Sequence, residues 1–240
     1  MDTGFDPERP LSSITLTNQG PPLFHVVMLH GSCGCAENFR KAGKMMLQRF
    51  PQSAVTLING GEKVPENTLR DIYKKNRLNV SNDLPSAFVW YGETCGKNGH
   101  KDVANIVRKL GAPPERVVVF GFSQGGFMAA DVVHNHPDVS RHAVLHSSAL
   151  VGSYRRANAS ISSPACSFDA FLAADDPYLR TPMILLLFRH YKSSALLRKG
   201  GHDVSTRYSY GFGHNITEKS MAIATGIIRK RLAADGLRLD

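Results

Sequence analysis

The stretch Gly121-Phe122-Ser123-Gln124-Gly125 sets one serine between two glycines. It stands where the apolar run RVVVFGF (116–122) gives way to the helical pattern QGGFMAADVVHNHP (124–137). A serine hydroxyl is a weak nucleophile until a base takes its proton, and acyl transfer also needs donors for the oxygen that becomes negative. Gly-x-Ser-x-Gly arises by chance too often to carry such chemistry alone; the strand before it and the helix after it give it weight. A sharp strand-to-helix turn strains the serine backbone, and glycines on either side let the two elements approach closely. The turn would lift the serine oxygen above a sheet. It would also set the amide of Gln124 at a helix N-terminus, where the dipole favours negative charge. The alternative is a glycine-rich turn with no chemistry, and the partners of Ser123 decide between the two.

Along the rest of the chain, short apolar runs alternate with helical stretches. FHVVML (24–29), AVTLI (54–58), RVVVFGF, HAVL (142–145) and PMILLLF (182–188) are of strand length and continuously apolar, as strands buried on both faces of a parallel sheet are. VSTRYSY (204–210) alternates, as an outer strand would. Helices are expected over 35–50, 100–111, 124–137 and 215–233, with stops at Gly111 before Pro113-Pro114 and at His136-Pro137. This alternation implies an α/β fold with a mostly parallel, doubly wound sheet flanked by helices. The 240 residues suit a single domain, 1–240, with 1–20 an irregular N-terminal segment. The Ser/Ala-rich segment 152–180 reads as an irregular surface excursion, and 59–99 as long loops near the strand ends.

A serine elbow in such a sheet draws its second oxyanion amide from the end of an earlier strand. FHVVMLHGSCGCAENF fits, with Ser32 as the donor, His30 as a scaffold residue turning the loop, and Glu37 and Asn38 opening the next helix. The base comes last in chain order. Of the ten histidines, His214 follows the 204–210 strand and precedes the last helix, with Gly211 and Gly213 allowing a tight bend. His202 lies before that strand. His134, His136 and His142 lie around the helix after Ser123 and its exit, away from the elbow's mouth.

LHGSCGCAENF, GFSQGGFMA and GFGH, in this order and at these separations, together resemble the compact phospholipase/carboxylesterase (acyl-protein thioesterase-like) family of α/β-hydrolases, over roughly residues 23–233. WYG (90–92) looks like the aromatic stretch those proteins carry before the helix preceding the elbow strand. The resemblance implies an α/β-hydrolase fold with little or no lid, no cofactor, and action on carboxylic ester or thioester bonds. It gives Ser123 the role of nucleophile, His214 that of base, and Ser32 and Gln124 those of oxyanion donors. Trp90, Tyr91 and Phe122 are candidate substrate-pocket walls, with ordinary core aromatics as the other reading of each.

The family's acid is an aspartate a few residues beyond the penultimate strand. With PMILLLF as that strand, RHYKSSALLRKGGHDV offers no acid before Asp203, which stands at the start of the last strand and the opposite end of the sheet. Asp175 and Asp176 precede PMILLLF, on its wrong side, and Asp169 would need the irregular segment to fold over the site. The position after HAVL holds His146, Ser147 and Ser148. The triad acid is therefore unassigned, with Asp169, Asp175 and Asp176 as candidates. Loss of such an acid costs roughly 10⁴ in turnover. Two functions stand: a serine hydrolase cleaving esters or thioesters through an acyl-enzyme on Ser123, or a catalytically weakened or inactive binding protein that keeps the fold.

Composition narrows the partners. The formal charge of +9, from 29 Lys and Arg against 20 Asp and Glu, could draw anionic surfaces or ligands, but the basic residues are scattered and no nucleic-acid module accompanies them. Four cysteines (Cys33, Cys35, Cys95, Cys166) read as reduced thiols in a cytoplasmic protein. Cys33-x-Cys35 lacks zinc-site spacing, so no metal is expected. No run is long enough for a transmembrane segment, and MDTGFDPERPLSS has no signal-peptide core. The expected partner is a small-molecule or acyl ester or thioester substrate, bound by a monomer or homodimer.

Overall fold

Strand β6 (Val117–Phe122) is buried along nearly all its length, Val117 and Val119 packing into one core and Val118 and Phe120 into another. An apolar side chain on both faces at every step is what a central parallel strand requires. The computed structural model describes residues 11–18, 20–75, 86–91, 99–150, 165–177 and 183–239. Before β6 come β1 (Ser13–Thr17), β2 (Phe24–Leu29) and β3 (Ser53–Ile58); after it come β7 (His142–His146), β8 (Ser167–Ala173) and β9 (Asp203–Ser209). They form a seven-stranded sheet in the order β1-β3-β2-β6-β7-β8-β9, parallel except for β1, which pairs antiparallel with β3.

Helices α1 (Arg40–Arg49) and α6 (Glu218–Ala234) cover one face, with Met46, Ile227 and Ile228 against Val118 and Phe120. On the other face lie α3 (Gly99–Arg108) and α4 (Gln124–Asn135), whose Val103, Val107, Met128 and Val132 pack with Val119. A smaller layer, α2 (Glu66–Lys75) with a two-stranded ribbon of β4 (Glu62–Lys63) and β5 (Phe88–Val89), occupies part of the stretch expected as loops.

The α/β-hydrolase-type sheet expected from sequence is present, with three revisions. Ser13–Thr17, inside the stretch read as irregular, is the antiparallel edge strand. PMILLLF is not a strand: its residues open α5 (Met183–Lys199), which runs on to the Gly200-Gly201 turn. A short apolar run carries no period of its own, and this one holds a single β-branched residue and continues into helix formers. The penultimate strand is instead β8, SFDAFLA, buried at all seven positions inside the segment read as a surface excursion. Its charge is matched in place: Arg231 of α6 grips Asp169 with two bonds of 2.6 and 2.9 Å and also reaches Asp203, while Ser205 donates to Asp169. A buried carboxylate is tolerable only when paired and hydrogen-bonded in this way.

Candidate active site

Ser123 caps α4 at φ 52° and ψ −120°, a left-handed backbone held by the elements on either side. Its N–H donates to the His146 carbonyl at 2.9 Å, tying the turn to the end of β7. A Cβ on Gly121 would strike the Gly125 carbonyl, and one on Gly125 would strike the carbonyls of Leu29 and His30, so this crossing admits only glycine. Gln124 is the first residue of α4, a position whose N–H has no partner within the helix. Its side-chain oxygen accepts from the Trp90 N–H at 2.9 Å.

The loop after β2 lies alongside. A Cβ on Gly31 would come 3.3 Å from the Ser123 Cβ, which sets the neighbouring Ser32 beside the serine. His30 is buried under the loop: its Nε2 accepts from Gly60 N–H at 2.9 Å, so Nδ1 carries the proton and donates to the Gly31 carbonyl at 2.7 Å. Burial lowers its pKa to about 4, and it remains a neutral strut, as its place before Gly31 suggests.

Beyond β9, Gly211 (φ +86°) and Gly213 (φ +50°) turn the chain so that His214 faces the elbow, and Thr217 with Ser220 caps α6 immediately after. His214 Nε2 is 3.0 Å from Ser123 Oγ, and its Nδ1 is 2.7 Å from Asp176 Oδ2. A carboxylate accepts only, so Nδ1 bears the hydrogen and Nε2 is bare toward the serine hydroxyl. Asp176 is 4% exposed.

Taking PMILLLF as the penultimate strand leaves the acid unassigned; that strand is instead β8. Asp175 and Asp176 follow β8 directly, on the side of the sheet where the strands end and the site lies. The two neighbours divide the work: Asp176 meets the ring, while both oxygens of Asp175 accept from Gly211 N–H at 3.1 Å and tether the loop that carries His214. Asp169, the third candidate, is committed to Arg231 and Ser205 and does not reach the site.

A cleft of about 270 Å³ opens beside the pair, lined on one wall by His30, Gly31, Ser32 and Cys33 and on the other by Phe122, His214 and Ile216, with Asn38 and Phe39 at its edge. Phe122 lines this cleft. Trp90 and Tyr91 do not: Trp90 is fully buried with its indole N–H on the His30 carbonyl at 2.7 Å, and the Tyr91 hydroxyl donates to Asp131 of α4 at 2.6 Å. Their rings belong to the core on the α4 face because the chain must fill the space beneath the His30 loop. Trp90→Phe is accordingly expected to lose about 1–3 kcal/mol in chemical denaturation, by orphaning the His30 carbonyl, with KM for a soluble ester unchanged. Asn38, read with Glu37 as no more than a helix start, lines the cleft, and so does Phe39, for which sequence reasoning offers no site role. Behind the site His146 is fully buried, its ring boxed edge-on by Phe120, Phe122, Phe171 and Phe212, and burial followed by the nearby His214 lowers its pKa to about 3. Among the described residues no group of three metal-ligating side chains is placed to hold an ion, and no helix is long and apolar enough to cross a membrane.

The same architecture recurs in solved proteins. The carboxylesterase of Bacillus cereus superimposes with a TM-score of 0.62 at 14% identity, covering 95% of this chain and 97% of its own. Esterase PE8 gives 0.68 at 16% identity over 92% and 99%. The carboxylesterase of Mesorhizobium loti gives 0.65 at 15% over 95% and 99%. Identities this low speak for the fold alone. No curated protein sequence matches the chain. The sequence itself matches the phospholipase/carboxylesterase family model over residues 97–232, a span that runs from α3 through the elbow, Asp176 and His214 and covers more than half of the chain. With that match laid over a sheet of the same kind, the chain belongs to the phospholipase/carboxylesterase family of α/β-hydrolases.

Proposed function

We propose that the protein is a serine hydrolase that cleaves carboxylic ester or thioester bonds through an acyl-enzyme on Ser123. The observation that carries this reading is the relay from Ser123 Oγ to His214 Nε2 at 3.0 Å and from His214 Nδ1 to Asp176 at 2.7 Å. Ser123 attacks the carbonyl carbon while Nε2 takes its proton, and Asp176 holds the ring's tautomer and steadies the imidazolium. The amides of Ser32 and Gln124 receive the oxyanion, helped by the positive end of the α4 dipole. Collapse of the tetrahedral adduct expels an alcohol or thiol, which takes the proton back from His214. Water then repeats the sequence and frees the acid. Phe39, Phe122 and Ile216 offer the cleft's apolar contact for an acyl chain. The rival reading, a fold kept for binding, drew its force from the unassigned acid, and the 2.7 Å contact of Asp176 with His214 supports the hydrolase reading over it. The free thiols of Cys33, Cys35 and Cys166 are in keeping with a cytoplasmic setting.

A fluorophosphonate probe tests this directly. The full chain is expected to become labelled with a mass shift that maps to Ser123, and Ser123→Ala to stay unlabelled. Absence of Ser123-dependent labelling at long exposure, in a chain that unfolds cooperatively, would return the protein to the binding-module reading.

A further inference from the structure

One face of the molecule shows aromatic rings to solvent. Phe188 and Tyr191 on α5, and Tyr208 and Tyr210 at the end of β9, are 64%, 55%, 48% and 68% exposed. The two elements meet where the hydroxyls of Tyr191 and Tyr208 hydrogen-bond to each other at 2.9 Å, with Phe188 three residues before Tyr191 on α5 and Tyr210 two residues beyond Tyr208. Beneath them His190 is fully buried; its Nδ1 accepts from Leu150 N–H at 3.0 Å and its Nε2 bonds Thr206 Oγ1 at 2.8 Å, so α5 is pinned to β9 and the rings stand on a rigid base. Arg189 and Lys192 are exposed within the same turns of α5, and the helix contains no Asp or Glu. A surface helix ordinarily turns its apolar residues inward. Here aromatics and cations share the outer side, on a chain whose net charge is +9.

We propose that this α5–β9 face docks the protein on an anionic lipid surface. Aromatic rings with one polar atom settle at the depth of lipid headgroups. Lys and Arg beside them are drawn to acidic headgroups, each near such a surface multiplying partitioning about fivefold. A second copy of the chain fits the patch less well. A two-fold contact sets the face against its own image, so Arg189 and Lys192 would meet cations with no carboxylate on α5 to pair them. The position is also apt: Tyr210 lies four residues before His214, and Phe188 and Tyr191 lie in the half of α5 nearest the strand ends that carry the site. Docked this way, the cleft is brought close to the headgroup layer.

The docking is tested apart from catalysis with the full chain carrying Ser123→Ala, sedimented with vesicles of phosphatidylcholine alone or with 30% phosphatidylserine (roughly the anionic content that attracts basic patches). Binding is expected to the phosphatidylserine vesicles and to weaken as salt rises. Adding Arg189→Gln with Lys192→Gln is expected to reduce partitioning about 25-fold, and adding Phe188→Ala with Tyr191→Ala to reduce it on both vesicle types, with thermal unfolding of each variant still cooperative. No sedimentation with phosphatidylserine vesicles, or equal sedimentation of the folded patch variants, would overturn the proposal. So would a patch-dependent dimer in sedimentation velocity whose formation leaves vesicles unbound. Vesicle binding and fluorophosphonate labelling are separate readouts, so failure of one leaves the other to be judged alone.

Discussion

Asp176→Asn is expected to lower kcat for a short soluble ester about 10⁴-fold, with KM changed by little. The side chain keeps its volume, but its amide can now donate to His214 Nδ1. The ring then prefers the tautomer with a hydrogen on Nε2, and the atom 3.0 Å from Ser123 Oγ becomes a donor unable to take the serine proton. The imidazolium that forms in the transition state also loses its counter-charge. Asp175→Asn serves as the control one residue away. It keeps an oxygen for the Gly211 N–H, and only a few-fold loss is expected, through looser placement of the His214 loop. Steady-state kinetics on both variants separates the acid from its neighbour. Equal losses in the two would mean that the aspartates act as a structural unit and that His214 is oriented by something else.

The second large effect is on stability in mild acid. His30, His146 and His190 are fully buried, and desolvation lowers their pKa values to about 4, 3 and 4. In the unfolded chain each takes up a proton near the ordinary pKa of 6.5, so between that pH and the folded value the unfolded state binds more protons. Stability therefore rises with pH across this window. It is fully present above about pH 6.5 and is lost as pH falls below it. Each histidine removes about 2 kcal/mol by pH 5, about 6 kcal/mol together, a large part of what a domain of this kind possesses. Urea titrations at pH 8 and pH 5 should show that difference in unfolding free energy. In His146→Leu the difference should shrink by about 2 kcal/mol; the substitution gives up the 3.1 Å contact of Nδ1 with Ser147 Oγ, while Nε2 has no hydrogen-bond partner among the described residues. A protein equally stable at both pH values would mean that these rings gain protons in the folded state.

Much of this arrangement could be read from the residues. Strands β2, β3, β6 and β7 are built around short apolar runs, and the elbow is marked by glycines whose missing side chains let backbones meet. His214 follows from chain order together with two glycines able to take positive φ. The errors came where an element's identity depends on a distant partner. SFDAFLA holds an aspartate at its centre and reads as surface until Arg231, 62 residues on, is seen to neutralise it. PMILLLF has a strand's composition over its first six or seven residues, and only its continuation to Lys199 makes it a helix. Exchanging those two assignments put the acid on the wrong side of a strand, although Asp176 was already among the candidates. Trp90 and Tyr91 failed for another reason: aromatic type does not tell which side of a loop a ring fills, and hydrogen bonds to His30 and Asp131 turned both inward.

The Arg231 clasp also bears on the order in which the chain can assemble. Strand β6, which leads into Ser123, is apolar on both faces and has no charge to neutralise before it can be buried. Strand β8 differs, because until α6 arrives the Asp169 carboxylate has no cation, and burying it unpaired would cost several kcal/mol. The strand that leads to Asp176 is therefore secured only when α6, which supplies Arg231, docks on the sheet. Placement of the Asp176 carboxylate against His214 is thus coupled to the docking of α6.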